Sequence, residues 1–392
     1  MRPNGIWPAR AAWRAVFGMR RARADGACAA LGLAAWGGVG CTGSSGPGPV
    51  VVVAAGPWHR PFSLMQRRGT ELAASEVNAA AAGGRGRAIE LRFANDSADG
   101  APATRLAGDL VRDGRVVAVV GHGTSSAMVA AAPVYDVGRL PAVSTMASTP
   151  ALTGASPWVF RMVPSDATTG AALARYAAGR GWRRAVALYE ADPYGRGLMR
   201  AFRDAYPGRL VDAVPIDPDS TKDPGPYVRY LARLRPDVVF VASTDDPAVP
   251  VLREARRLGL ATQFLGADGW IRLAAADPAA SEGVLVGLPF FTDPEPDAAE
   301  DPAARRFVAA FRARYGVAPS AAAAAAYDAV RLVATAAARS DGTRAGVRGY
   351  LAALDASRPF PGATGPVYFA RGDAAGRQVV ITRAHAGVLR RE

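Results

Sequence analysis

Short apolar runs and longer amphipathic segments alternate along the chain from Val50 onward. The short runs are continuous rather than interrupted by polar residues, which is typical of strands in a parallel sheet covered by helices on both faces. In the first half the pattern predicts strands Val50–Ala54, Ile89–Ala94, Val116–Gly121 and Ala142–Ser144, with helices Leu64–Ala82, Ala103–Asp113 and Ser126–Val137 between them.

A second series of similar size follows Pro164. It predicts helices Ala167–Gly179, Gly195–Tyr206, Tyr227–Leu234 and Ala248–Leu258 and strands Ala185–Glu190, Leu210–Ile216, Val238–Val241 and Thr262–Gly266. The remaining segments are helices Ala298–Tyr315, Ala321–Ala338 and Arg344–Leu354 and strands near Val367–Phe369 and Val379–Thr382. The fold class is therefore α/β, with two doubly wound parallel-sheet lobes.

The first forty residues have the pattern of an export signal. An arginine cluster that ends at Arg23 precedes the apolar, small-residue stretch Gly26–Gly40, which is followed by Cys41. A basic segment before a short apolar one is typical of a secretory signal, and this stretch is too short to cross a bilayer comfortably. Residues 42–49 are rich in Gly, Ser and Pro and are expected to form a flexible tether.

Signal, cysteine and tether together resemble a bacterial lipoprotein, in which the cysteine is diacylated and becomes the new N-terminus. Gly38 stands where leucine is usual in the lipobox, so an ordinary cleaved signal with a chance cysteine stays an alternative to lipidation of Cys41. A start at Met19 instead of Met1 gives a more compact leader.

The positive charge does not indicate nucleic-acid binding. The formal net charge is +13, but it is carried almost entirely by arginine, and residues 1–41 hold six arginines against one aspartate. No basic run with interleaved aromatic residues occurs in the body of the chain. We therefore expect no nucleic-acid partner.

Composition and motifs also argue against an enzyme. Two cysteines and three scattered histidines exclude a disulfide scaffold and a zinc cluster, so no metal or cofactor is expected. The nucleophile-elbow pattern fails because Ala127 replaces its final glycine, and the single lysine, Lys222, is not part of a phosphate-binding loop.

The turn Gly121–Ser126 is the first candidate binding element. It follows a buried strand and opens a helix, where free backbone N–H groups and the helix dipole attract anions. The carboxyl ends of strands in open α/β sheets are also where ligands bind. The alternative is a plain strand-to-helix turn that Thr124 or Ser125 caps.

Five motifs in order resemble the type I periplasmic binding proteins of the leucine/isoleucine/valine-binding family: Gly69–Ala80 with Gly83–Arg87, Val120–Ser126, Val143–Pro150, Asp192–Gly197, and Ala255–Leu260 with Leu265–Gly269. The resemblance implies two lobes joined by three crossovers, with the ligand between them. Residues 49–165 and 291–365 would form the first lobe, and 166–290 and 366–392 the second. Lobe closure around the ligand would be a hinge motion.

The resemblance also implies which residues contact a ligand. In the first lobe Thr124 and Ser125 would hold a carboxylate, the carbonyl of Met146 an ammonium, and the hydroxyl of Ser148 a polar end. Ser148 and the neighbouring Thr149 can alternatively cap a helix at Pro150.

From the second lobe, Tyr194 would close over the ligand and Asp268 would pair with its ammonium group. Thr244 and Asp245 stand where the family often has an aromatic residue, so we expect a more polar side-chain pocket than one built for leucine. Four further residues are expected near the cleft: Trp58, His59, Phe62 and Trp270.

The function that the resemblance implies is an extracytoplasmic solute-binding protein. It would capture an amino acid, branched-chain or a related small zwitterion, and deliver it to an ABC permease and ATPase complex from a lipid anchor in the cell envelope. A ligand-sensing receptor and an envelope scaffold on the same fold remain alternatives.

Overall fold

The computed structural model of the protein describes residues 48–290 and 301–392. Strands in this part of the chain form two seven-stranded sheets, in the orders β13-β14-β5-β4-β3-β1-β2 and β16-β15-β10-β9-β8-β6-β7, and a separate hairpin β11-β12. The strands are β1 (Val50–Gly56), β2 (Ile89–Asn95), β3 (Val116–Val120), β4 (Ala142–Ser144), β5 (Val159–Arg161), β6 (Arg184–Glu190), β7 (Arg209–Ile216), β8 (Val238–Ala242), β9 (Gln263–Gly266), β10 (Leu285–Leu288), β11 (Phe360–Gly362), β12 (Gly365–Val367), β13 (Phe369–Ala370), β14 (Asp373–Ala374), β15 (Val380–His385) and β16 (Val388–Arg391).

Helices cover the sheets and connect their strands. They are α1 (Leu64–Ala82), α2 (Gly100–Arg112), α3 (Ser125–Val137), α4 (Asp166–Gly179), α5 (Pro193–Ala205), α6 (Gly225–Leu234), α7 (Asp245–Arg257), α8 (Leu273–Ala276), α9 (Pro278–Ser281), α10 (Pro302–Tyr315), α11 (Ala321–Arg339) and α12 (Arg344–Ala352). Single 3₁₀ turns occur at Pro61–Ser63, Pro150–Leu152, Ser220–Lys222 and Asp268–Trp270. The helix start predicted at Ala298 lies outside the described residues.

The two sheets repeat one topology, as the two apolar series predict. Strands β1 to β5 pair in parallel with each other, and β6 to β10 do the same. All seven residues of β1 are buried, which explains why its sequence is apolar without alternation. In each sheet the strand order reverses beside the first strand, at β1 and β6, and ligands bind at such switch points.

The order of the described elements requires three crossings between the sheets, and we call the parts around the first and second sheets lobe 1 and lobe 2. The crossings lie between β5 and α4, between β10 and α10, and between β14 and β15. The last one differs from the boundary at 365/366 that the resemblance implied, because Asp373 of β14 pairs with Arg161 of β5. Strand pairing therefore keeps residues 366–374 in lobe 1, and only β15 and β16 join lobe 2.

Helix α11 is the core helix of lobe 1. Within the described part of the chain it alone is long and apolar enough to cross a membrane, but 78% of that stretch is buried in the protein. It packs against α1, where a side chain at Gly69 would clash with the backbone of Ala323. The alanine-rich sequence therefore serves close helix packing, as the pattern Ala321–Ala338 predicts.

Candidate functional site

A cavity of about 280 Å³ lies between the lobes at the carboxyl ends of the strands. Lobe 1 lines it with the start of α3 and with residues that include Met146 and Ser320, and lobe 2 lines it with Tyr194, Thr244, Asp245 and neighbouring groups. Both switch points therefore face one cavity, and its volume suits a small molecule.

The amino terminus of α3 forms the lobe 1 end of the cavity. Thr124 is the N-cap residue in an extended conformation, but its side chain makes no cap hydrogen bond, and its buried Oγ1 has no partner. Ser125 Oγ accepts a hydrogen bond from the backbone N–H of Thr149 at 3.3 Å, which leaves its own proton to donate. A helix amino terminus with free N–H groups and hydroxyls of this kind can bind an anionic group.

The loop after β4 lies beside this helix terminus. Met146 lines the cavity as predicted, whereas Ser148 is not among the lining residues. The Ser148 hydroxyl instead donates to Asp166 Oδ2 at 3.1 Å, and its carbonyl accepts from the Asp166 N–H at 2.8 Å. These two hydrogen bonds therefore fix Ser148 against Asp166, at the first crossing between the lobes. Thr149 precedes the 3₁₀ turn at Pro150, but its side chain makes no cap hydrogen bond.

A buried polar network supports both lobe 1 loops. His122 Nδ1 lies 2.7 Å from Asp96 Oδ2, and His122 Nε2 lies 2.8 Å from the Tyr135 hydroxyl, with both histidine and aspartate fully buried. The hydroxyl of Ser144 donates to the His122 carbonyl at 2.6 Å and accepts from the Ala147 N–H at 3.1 Å. His122 is thus a structural residue that ties the two binding loops together.

Tyr194 and Asp268 meet on the lobe 2 side. The Tyr194 hydroxyl donates to Asp268 Oδ1 at 2.9 Å and accepts from the Gly269 N–H at 3.0 Å. Asp268 is 8% exposed, and burial raises its pKa to about 6, although the hydrogen bond from Tyr194 lowers it. An ammonium group at this carboxylate would favour its ionised form.

A second acid, Asp166, lies close to this pair and was not predicted from the sequence. It is fully buried, and its Oδ1 has no hydrogen-bond partner. Burial and the nearby charge of Asp268 hold the pKa of Asp166 well above its usual range. The only sequence signal was its place at the first turn of α4, where aspartate is an ordinary helix-start residue.

Thr244 and Asp245 line the cavity at the start of α7. The Thr244 N–H donates to Glu190 Oε2 at 2.6 Å. Asp245 is 5% exposed, and its Oδ2 forms an ion pair with Arg272 Nε at 3.0 Å. Burial raises the pKa of Asp245 to about 7 even though Arg272 lowers it.

Other lining residues were missed from the sequence or differ from expectation. Gln66 of α1 lines the cavity and accepts a hydrogen bond from Thr145 at 3.0 Å. No sequence motif indicated this position. Phe62 lines the cavity as expected. Trp58 packs edge-on against Phe93 instead, and Trp270 is fully buried in the lobe 2 core, so neither tryptophan lines the cavity. His59 does not line it either.

The lobes touch beside the cavity. Ser126 of α3 donates to Asp192 Oδ2 at 3.3 Å, and a Cβ atom at Gly197 of α5 would lie 2.7 Å from Pro150 Cδ. The cavity thus has hydrogen-bond donors at its lobe 1 end and buried carboxylates on its lobe 2 side. Such an arrangement can hold a small zwitterion, whose carboxylate and ammonium groups need opposite partners. Among the described residues, no group of three or more His, Cys, Asp or Glu side chains has the geometry to hold a metal ion.

Known binding proteins resemble this chain in sequence. A family model described as periplasmic binding protein matches residues 50–387. An "Amino acid binding protein" of Pseudomonas aeruginosa is 30% identical over 257 residues, which cover 62% of this chain and 68% of that protein. The "Leu/Ile/Val-binding protein" of Escherichia coli is 28% identical over 227 residues, or 56% of this chain and 61% of that protein.

Solved structures match over a larger share of the chain. An ABC transporter substrate-binding protein from Desulfitobacterium hafniense, solved in complex with Leu, is 30% identical, with a TM-score of 0.74. The match covers 88% of this chain and all of that one.

Proposed function

The chain belongs to the type I periplasmic binding proteins of the leucine/isoleucine/valine-binding family, and from this premise we propose that it captures an amino acid between its lobes and delivers it to an ABC transporter. The family consists of substrate-binding proteins rather than enzymes. The cavity is therefore a site of capture, not of catalysis.

One observation carries the proposal: a buried carboxylate and a helix amino terminus face the same cavity from opposite lobes. The first turn of α3, with Thr124 and Ser125, would hold the α-carboxylate, and the carbonyl of Met146 would face the ammonium. Asp268, oriented by Tyr194, would pair with that ammonium, and Asp166 lies close to Asp268. Ser148 would act through Asp166 rather than by direct contact.

Delivery requires export and a position near the membrane. Residues 1–47, which include the signal pattern and Cys41, lie outside the described residues. The predicted signal supports export to the periplasm, where such binding proteins act, and we propose that Cys41 carries the lipid anchor. Acyl chains on a single residue would hold the protein at the membrane, since each buried CH₂ contributes about 0.8 kcal/mol.

The lipid anchor has a direct test. Membrane fractions from cells that produce the full chain should contain the protein with a diacylglyceryl group at its first residue, detected by intact mass. Cys41→Ala should abolish both the added mass and the membrane retention. A mature chain that begins at another residue and carries no lipid would contradict the lipid anchor, and only the prediction of export would stand.

The capture function is tested by a thermal-shift screen of residues 42–392 against amino acids, small amides, carboxylic acids and sugars. A ligand at a thousandfold excess over its Kd adds about 4 kcal/mol to the free energy of unfolding and raises Tm visibly. A shift with amino acids is the expected result. Folded, ligand-free protein that responds to none of them would favour a scaffold role.

A sensing receptor is distinguished from a transport component by reconstitution. The liganded protein should stimulate ATP hydrolysis by its ABC permease and ATPase complex in vesicles. Tight amino-acid binding without any such stimulation would favour a receptor that reports the ligand to a signalling partner.

A further inference from the structure

A glutamine of α1 presents a free hydrogen-bond donor to the cavity. Gln66 lines the cavity although only 7% of it is exposed. Its Oε1 accepts the hydrogen bond from the Thr145 hydroxyl, whereas its Nε2 has no hydrogen-bond partner among the described residues. Nε2 is not fully enclosed by protein atoms either, so the small exposed part of this side chain includes the amide donor. That donor is therefore available to whatever fills the cavity.

The Gln66 amide lies against the start of α3. A Cβ atom at Gly123 would lie 2.7 Å from Gln66 Oε1 and 3.2 Å from Nε2, so the amide occupies the space that a side chain at this position would need. Gly123 directly precedes Thr124 and Ser125, the groups that would hold the ligand carboxylate. The free amide donor thus lies beside the proposed carboxylate contacts.

The charges around the cavity favour an anionic group at this end. Among the described lining residues, lobe 1 contributes no charged side chain, whereas lobe 2 contributes Asp192, Asp245, Asp246 and Asp268. The one cationic side chain in that set, Arg272, already pairs with Asp245. Like charges repel a ligand carboxylate from the lobe 2 side, and at the lobe 1 end only neutral donors are present to stabilise it. Each neutral donor there therefore contributes to holding the anion.

We propose that Gln66 contacts the captured amino acid directly, with its side-chain N–H donating a hydrogen bond to the α-carboxylate beside the first turn of α3. This inference rests on the proposed function, which supplies the ligand. Thr145 would orient the amide through its bond to Oε1, and Gly123 would leave room for it. A hydrogen bond to an ionised group is stronger than one between neutral groups, so this contact should contribute measurably to affinity.

Two substitutions at Gln66 separate a ligand contact from a merely structural role. Gln66→Glu keeps an acceptor for Thr145, but it removes the donor and adds a negative charge beside the ligand carboxylate. Gln66→Met has a similar length and removes both donor and acceptor without adding charge. If Gln66 only supported Thr145, Gln66→Glu would bind normally and Gln66→Met would be the weaker variant. A contact with the carboxylate predicts the opposite order.

The first measurement is Kd by calorimetry on the mature chain at pH 8, where an ordinary carboxyl group is ionised. Leucine is the first probe, and the other standard amino acids follow if leucine does not bind. Gln66→Met should bind about tenfold more weakly than the unmodified chain, and Gln66→Glu at least about threefold more weakly again. Gln378→Glu makes the same change at an exposed glutamine and should bind normally. Tm without ligand reports the fold of each variant.

A second measurement uses the unmodified chain and so does not depend on the folding of a variant. The sequence has three glutamines, at positions 66, 263 and 378, so labelling glutamine side chains with ¹⁵N gives three pairs of amide proton signals. Saturation with the bound amino acid should shift the Gln66 pair downfield most, because its free N–H gains an ionised partner. Gln263 Nε2 already donates to the carbonyls of Phe264 and Gly283, and Gln378 is exposed.

The outcomes separate the inference from the function on which it rests. Gln66→Glu that binds as tightly as the unmodified chain, or more tightly than Gln66→Met, would overturn the amide contact while the capture function stands. A Gln66 amide pair that does not move at saturation would overturn it too. Folded, unmodified chain that binds none of the amino acids would overturn both the contact and the capture function.

Discussion

Asp268 is a buried carboxylate whose surroundings suit the cation that we propose it binds. Tyr194 fixes one oxygen and burial removes water, so the carboxylate stays partly protonated near pH 6. Such a group interacts strongly with an ammonium because few water molecules compete, and it discriminates against ligands without one.

Replacing Asp268 by Asn should reduce affinity for amino acids at least about tenfold without unfolding the protein, because one charge-assisted contact is lost while the shape is kept. Calorimetry gives the Kd, and Tm without ligand reports the fold. Asp204→Asn, which removes an exposed partner of Arg203 on lobe 2, is the control and should bind normally. Unchanged affinity in Asp268→Asn would remove Asp268 from the site.

The raised pKa of Asp268 also predicts a pH dependence. In the free protein its pKa is about 6, and an ammonium partner lowers it, so binding below pH 6 must release a proton. Methionine affinity should fall below pH 6, by up to roughly tenfold per pH unit. Calorimetry between pH 5 and 7.5 checks this, and a profile that stays flat in that range would contradict it.

At the scale of elements, strands and loops are joined by buried polar residues rather than by apolar packing alone. Arg161 at the end of β5 is 1% exposed and pairs with Asp373 of β14 at 2.6 Å. Its guanidinium also donates to the Thr149 carbonyl at 2.7 Å and the Thr153 hydroxyl at 2.8 Å. One side chain thus connects the edge of the first sheet to a binding loop.

Replacing Arg161 by Met should lower the free energy of unfolding by about 3–5 kcal/mol, because the largely buried carboxylate of Asp373 loses its partner. Urea unfolding followed by circular dichroism measures the change. Arg203→Met breaks an ion pair with Asp204 that is exposed on both sides and should have little effect. Equal stability of the two variants would show that the buried pair contributes nothing net.

At the scale of the whole molecule, the proposed capture depends on closure of two lobes with the same topology. The described contacts between them include the Ser126–Asp192 hydrogen bond and the approach of α5 to the turn at Pro150. Glycine at 197 permits that approach, since a Cβ there would also lie 3.1 Å from Thr149 Oγ1. Ligand binding energy would shift the equilibrium toward this closed arrangement.

A Gly197→Val substitution should therefore hinder closure without disturbing either lobe. The ligand-saturated variant should keep a larger radius of gyration in X-ray scattering than the unmodified protein and bind at least about tenfold more weakly, with similar Tm before ligand is added. Gly349→Val, where an added Cβ has no neighbour within 4 Å, is the control. Normal compaction and affinity in Gly197→Val would show that this contact does not limit closure.

Patterns in the sequence were enough to predict the two lobes and most of the longer elements, whereas β5, β10 and β16 were not predicted. Continuous apolar runs identified strands such as Ala142–Ser144, and the turn before α3 and the Asp268 loop were placed by motif. These features depend on local composition and on residues close together in the chain, so a pattern can reveal them.

Which polar groups share the cavity, and which have other partners, depends on the folded arrangement. Ser148 hydrogen-bonds to Asp166 and Trp58 packs against Phe93, so neither lines the cavity as predicted. The last crossing follows Ala374, later than predicted, because Asp373 pairs with Arg161. Likewise, the free amide donor of Gln66 is evident only from its burial and its hydrogen bond with Thr145. Burial and pairing depend on residues that are far apart in the sequence, so no local sequence pattern predicts them.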